Sequence, residues 1–272
     1  MPVEVVHKLT RDPDAVGVFR FSYLNLCQSS SELWIAHGTG LIILVLFTAG
    51  LFTRITSVLS LVVVLSYIHR APMLAGQLEP VLAMMIFYLC LAPCGACLSL
   101  DAWLGGRKED KPPAATPGQP APPRGSVAAN LSLRLMQVHL SALYLMMGLT
   151  KLGGETWWAG DAIWWLIAQS DSRLVDFTFL RPGLDQIPLA INAWTHAIVL
   201  FELTFGILIW NRLARPLLLG IAVLMWGSLA LVTGLVSFCL MMLIANLAFA
   251  TPEAMRAICT GCCGQAEEMG QV

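Results

Sequence analysis

Lys151 and Glu202 are ionisable side chains set in long apolar runs, where charge is costly and therefore informative. Lys151 closes the stretch LYLMMGLTK and is followed by Trp157, Trp158, Trp164 and Trp165, with Glu155 and Asp161 among them. A lysine so placed has two readings. Either its methylenes lie on apolar surface while the ammonium reaches water, or the amine is dry. Desolvation disfavours the ammonium form, and a neutral amine accepts a proton from a hydroxyl. Glu202 sits near the middle of its run and reads as a member of a structural ion pair or as a catalytic acid. The partners the sequence offers it are Arg134, Arg215 or a backbone group.

The helices that must carry these groups show further polar residues at helical spacing. Asn130, Arg134, Gln137, Ser141, Tyr144, Gly148 and Lys151 follow one another at steps of 4, 3, 4, 3, 4 and 3. Such steps keep them on one stripe of a helix. The stripe serves helix packing and hydrogen bonding or lines a cavity, and Tyr144 is placed to meet the same ligand as Lys151. Asn192, Thr195, Glu202 and Gly206 share a face of the next long run, bordered by His196. Gln77 and Glu79, beside His69 and Arg70, add a third polar source. His139 lies off the stripe, and both it and His196 read as structural.

Composition sets the frame. Of 272 residues, 57% are hydrophobic and 12% charged, and mean hydropathy is +0.72, which excludes an ordinary soluble domain. A net charge of −1 argues against a nucleic-acid partner. The expected fold is all-α: a polytopic transmembrane bundle of six to seven spans plus an interfacial helix. The runs are Trp34–Phe52, Ile55–Ile68, Pro80–Leu98, Ala128–Leu152, Ile187–Trp210, Leu213–Thr233 and Leu235–Ala250. Trp157–Ala168 is too short to cross, and its indoles suit the headgroup layer.

Three parts follow: an extracytoplasmic segment 1–33, a membrane domain 34–252 with a flexible Pro-rich loop 101–127, and a Cys-rich tail 253–272. No cleavable leader is visible in the first 33 residues, so the first span is expected to target the chain. The short loops Thr53-Arg54 and Asn211–Arg215 carry the basic residues that weigh most in orientation. They place loop 101–127 and the C-terminus in the cytoplasm and the Lys151 end outside.

Four stretches, LFTAGLFTRITSVLSLVVVLSYIHRAPML, LCLAPCGACLSLDAWL, QVHLSALYLMMGLTKLGGETWWAGDAI and VSFCLMMLIANLAFATP, together resemble the HTTM membrane domain, shared with vitamin K-dependent γ-glutamyl carboxylase. The similarity runs over Arg20–Pro252, and its most specific part is Gly148, Lys151, Leu152, Trp158 and Gly160. The resemblance implies that Lys151 matches a lysine that deprotonates reduced vitamin K, a quinol cofactor. The oxygen-derived base then removes a γ-proton from glutamate, to which carbon dioxide adds. The family's asparagine–histidine pair falls near Gln77–Glu79 without matching, and Trp226 stands where many members carry histidine.

The expected function is an enzyme that deprotonates a quinol or another lipidic substrate, with Lys151 as base. Arg134, Gln137, Ser141, Tyr144, Trp158, Asn192, Glu202, Gln77 and Glu79 would line its cavity. The alternative is a non-catalytic scaffold or maturation partner that holds a lipid or a partner helix. A transporter is disfavoured, since no pair of Gly/Pro-broken half-helices stands out. No metal is expected. Cys94, Cys97, Cys259 and Cys262 are the remaining candidates for zinc, although small helix-end residues and free or acylated juxtamembrane thiols explain them better.

Overall fold

The computed structural model describes residues 22–70, 76–96, 99–101, 126–168 and 188–251. Segment 1–21, most of loop 101–127, Cys97 and the tail with Cys259 and Cys262 lie outside the described residues. Every described element is helical, with no strand among them. The α-helices are α1 (Ser30–Ala49), α2 (Thr53–Arg70), α3 (Leu78–Leu91), α4 (Val127–Leu152), α5 (Glu155–Ala159), α6 (Ala162–Ala168), α7 (Pro188–Leu208), α8 (Ala214–Thr233) and α9 (Val236–Asn246).

Local chemistry explains where these helices begin and end. Ser29 accepts from the Glu32 amide at 3.2 Å, and Glu32 answers by accepting from the Ser29 amide at 3.3 Å. This reciprocal cap satisfies two amides that the first turn of α1 leaves unpaired. α1 ends at Gly50 and α8 at Gly234, both left-handed, with φ of 75° and 70°. Asp101 closes the start of α2, its two carboxylate oxygens accepting from the Phe52 and Thr53 amides at 2.9 Å each.

α1, α7 and α8 are long and apolar enough to cross a membrane by length and composition. They fit an integral membrane protein. α4, at 26 residues, has the length as well, but its polar stripe dilutes its hydropathy. α3 and the run from α9 through Phe249 are shorter apolar helices.

The chain divides into two compact units, Met1–Met136 and Gln137–Val272, with the boundary inside α4. In the first unit α2 packs between α1 and α3. Its buried Ser57, Ser60, Val63, Val64 and Ser66 give a narrow face on which neighbouring helices approach closely. Ser66 accepts from the Tyr23 amide, and its carbonyl accepts from Ser22 at 2.8 Å, so the short turn Tyr23–Leu26 is tied to α2. The Arg70 guanidinium donates to the Leu24 carbonyl on the same turn. In the second unit α7 packs on α8, α5 and α6, and α8 packs on α9.

The tryptophan segment departs from the single helix Trp157–Ala168 that its sequence suggests. Gly160 adopts φ 82° and splits it into α5 and α6. A Cβ on Gly160 would run into the Asn192 side chain, and that position is left-handed, where L-residues are strained. Asn192 donates to the Ala159 carbonyl at 3.0 Å and Thr195 to the Gly160 carbonyl at 2.8 Å. Two polar residues of α7 thus satisfy the backbone that the break exposes.

Candidate functional site

The site grows from the C-terminal half of α4. Of its polar stripe, Gln137, Ser141, Tyr144 and Gly148 are buried, whereas Asn130 and Arg134 near the N-terminal end are exposed. Gly148 lets α7 come close: a Cβ there would stand 2.8 Å from a Leu203 methyl. The residue before Leu203 on α7 is Glu202, buried with 1% of its side chain exposed. One turn beyond Gly148 on α4 is Lys151. The two meet.

Lys151 Nζ donates to Glu202 Oε1 at 2.6 Å and to Oε2 at 2.8 Å. The lysine side chain is 19% exposed, and its ammonium lies 5.2 Å from the centre of the Trp157 ring, within cation–π range. Of the partners offered by sequence, Arg215 instead donates to the Ile209 carbonyl, and the cation on Glu202 is Lys151 rather than Arg134 or Arg215. The distance in sequence hid this pairing, since the two residues are 51 positions apart. The only available signal was that both lie on the polar faces of consecutive long helices.

An ammonium has three donor hydrogens. Two face the carboxylate, and the third has no described partner. That third position is where an acceptor from outside the described residues would sit.

Tyr144 does not share this position. It is fully buried, and its hydroxyl accepts from Trp226 Nε1 at 2.7 Å and lies 2.9 Å from Asn246 Nδ2 and 3.1 Å from Asn246 Oδ1. Its ring stacks on Phe205 at 4.0 Å between centres and meets Phe201 edge-on. The hydroxyl is thus held inside the protein, and Trp226 and Asn246 are the partners that sequence reasoning missed. Gln137 likewise donates to the Ala248 carbonyl at 2.6 Å, where the last apolar run tightens into a 3-10 turn. Ser141 Oγ is buried without a partner among the described residues.

The other candidates fall in several places. Trp158 is 65% exposed and donates its indole N–H to the Leu152 carbonyl at the end of α4. Asn192 serves the break at Gly160. Glu79 accepts from the Gly76 amide at 2.7 Å at the start of α3, and Gln77 is exposed beside it; both belong to the first unit. His196 bonds through Nδ1 to the Asn192 carbonyl. Cys94 is free, its thiol on the Leu89 carbonyl. Among the described residues no three His, Cys, Asp or Glu side chains gather to hold a metal ion. No protein-family model, curated protein or solved structure matches the chain.

Proposed function

We propose that this chain is a polytopic membrane protein of the HTTM type that takes a proton from the hydroxyl of a quinol or a similar lipid-soluble molecule. Lys151 is the proton acceptor. The observation that carries this reading is the Lys151–Glu202 pair, two ionisable groups held at 2.6 Å between α4 and α7 with one hydrogen-bonding position of the amine left over. In this reading α2, α3, α4 and α9 cross the bilayer with α1, α7 and α8, and the Lys151 end faces outward.

The residues divide the work as follows. One face of the Lys151 amine is held by the Glu202 carboxylate, and its remaining position would meet the substrate hydroxyl. The proton would pass to Lys151 Nζ, beside the Glu202 carboxylate. Glu202 offsets the charge the amine acquires and fixes its direction. An N–H of Lys151 would stay within reach of the substrate oxygen and stabilise negative charge there. The Trp157 ring lies against the ammonium at cation–π distance and adds to what holds it in place. A reduced quinone bound there supplies the oxidisable hydroxyl.

Oxygen uptake by the purified chain with reduced quinone tests the proposal. Lys151→Ala is expected to lower uptake at least ~100-fold, the scale of general-base catalysis. Lys151→Ala uptake equal to wild type, in protein that keeps its fold, would overturn it. A scaffold reading draws on one observation: the spanning window of α1 is only 6% buried, so its surface is available to a partner helix. Mass spectrometry of lipids extracted from gently purified protein separates the two. Stoichiometric quinone favours the enzyme, and a co-purifying membrane protein without quinone favours the scaffold.

A further inference from the structure

The first unit holds a second polar feature, apart from the candidate base. The start of α2, the end of α3 and the residues before α4 enclose a cavity of about 470 Å³. Arg54 lines it, together with Thr53, Ser57, Cys90, Leu91 and Ser126. Arg54 has no described carboxylate partner. Asp101, the acid at this end of α2, does not line the cavity, and both its oxygens are taken by the Phe52 and Thr53 amides. Among the described residues the cavity therefore presents one guanidinium without a carboxylate partner, a group whose planar fork suits phosphate. The start of α4, at Ser126 and Ala128, adds the positive end of a 26-residue helix.

The surroundings of the cavity are apolar and exposed. Leu91 lines it and is 47% exposed; Ile55, Val58 and Phe87, on the same two helices, are 63%, 51% and 47% exposed. A cationic hollow at the end of bare apolar helices is complementary to an amphiphile with an anionic head. We propose that this cavity binds a phosphate-bearing group, the headgroup of an anionic phospholipid. Arg54 holds the phosphate, Ser126 donates to one of its oxygens, and the acyl chains run along α2 and α3.

Native mass spectrometry of the full chain in neutral detergent tests this, with phosphatidylglycerol, phosphatidylcholine and glycerol 3-phosphate as probes. Wild type is expected to retain phosphatidylglycerol about tenfold better than phosphatidylcholine. Arg54→Gln removes that preference, Arg54→Lys keeps part of it, and neither moves the lipid-free melting midpoint, since Arg54 is exposed. Equal retention of the two lipids, or an unchanged preference in Arg54→Gln, would sink the proposal. Displacement of phosphatidylglycerol by equimolar glycerol 3-phosphate would overturn the lipid as the source and leave a soluble phosphate in its place.

Discussion

At the scale of single residues, the Lys151–Glu202 pair makes a prediction about stability as well as chemistry. Removing one member of a buried pair leaves the other uncompensated, at a cost of about 3–5 kcal/mol. Lys151→Met should be the worse single change, because it strands Glu202, 1% exposed, while Glu202→Gln strands an amine that is 19% exposed. The double variant Lys151→Met with Glu202→Leu should recover most of the loss. Denaturant titration of the four proteins in detergent checks this, and strictly additive losses would show that the two groups are not coupled. Tyr144→Phe should cost roughly 1–2 kcal/mol, from the bonds to Trp226 and Asn246, and leave quinone affinity unchanged. A loss of affinity would place the phenol in the binding site.

The polar stripe was legible from steps of three and four along α4, and Gln137 to Gly148 are indeed its buried part. Which groups meet was not legible. Periodicity gives a residue's direction on its own helix and says nothing of the helix opposite, so Tyr144 could not be told from a ligand contact until Asn246, 102 positions away, was seen beside it.

At the scale of elements, the break between α5 and α6 depends on Gly160. Gly160→Ala should destabilise the protein by at least ~1–2 kcal/mol, the cost of a left-handed L-residue, with a further penalty from Asn192. Thermal melting measures it, and an unchanged midpoint would mean that the break is not held. The Gly160-Asp161 pair was the available signal for this break, outweighed in the sequence by the continuous tryptophan pattern around it.

Asp101 gives a pH dependence at the same scale. The Thr53 and Phe52 amides, in that order, hold its carboxyl below the usual carboxylate range. A group lowered on folding contributes stability that is present above its unfolded value, about 3.9, and is lost as pH falls through the folded value. Asp101→Ala should therefore melt earlier than wild type at neutral pH and converge with it in acid. A difference that persists in strong acid would exclude the carboxylate as its cause. The turn at Gly234 was readable as a break between two runs, whereas Gly50 ends α1 inside the run Trp34–Phe52, and the cap that Asp101 places on α2 joins residues 48 and 49 positions apart and leaves no local pattern.

At the scale of the whole molecule, composition settled most. Large apolar side chains such as Trp34, Ile42, Val45, Leu200, Leu217 and Leu224 are more than half exposed, which water does not tolerate over such an extent. The chain should stay in the membrane pellet after alkaline carbonate extraction, and release into the supernatant would contradict an integral protein. Hydropathy counts long apolar runs well, but it counts α4 poorly because the polar stripe that makes that helix interesting also makes it look less like a span.

The indole of Trp157, standing over Lys151 Nζ at 5.2 Å, makes the site optically visible. A neighbouring positive charge alters indole emission, so light from this ring reports on what stands beside the amine. A stopped-flow trace, referenced to a Trp157→Phe protein, would follow the arrival of a ligand in real time, without any assay of turnover.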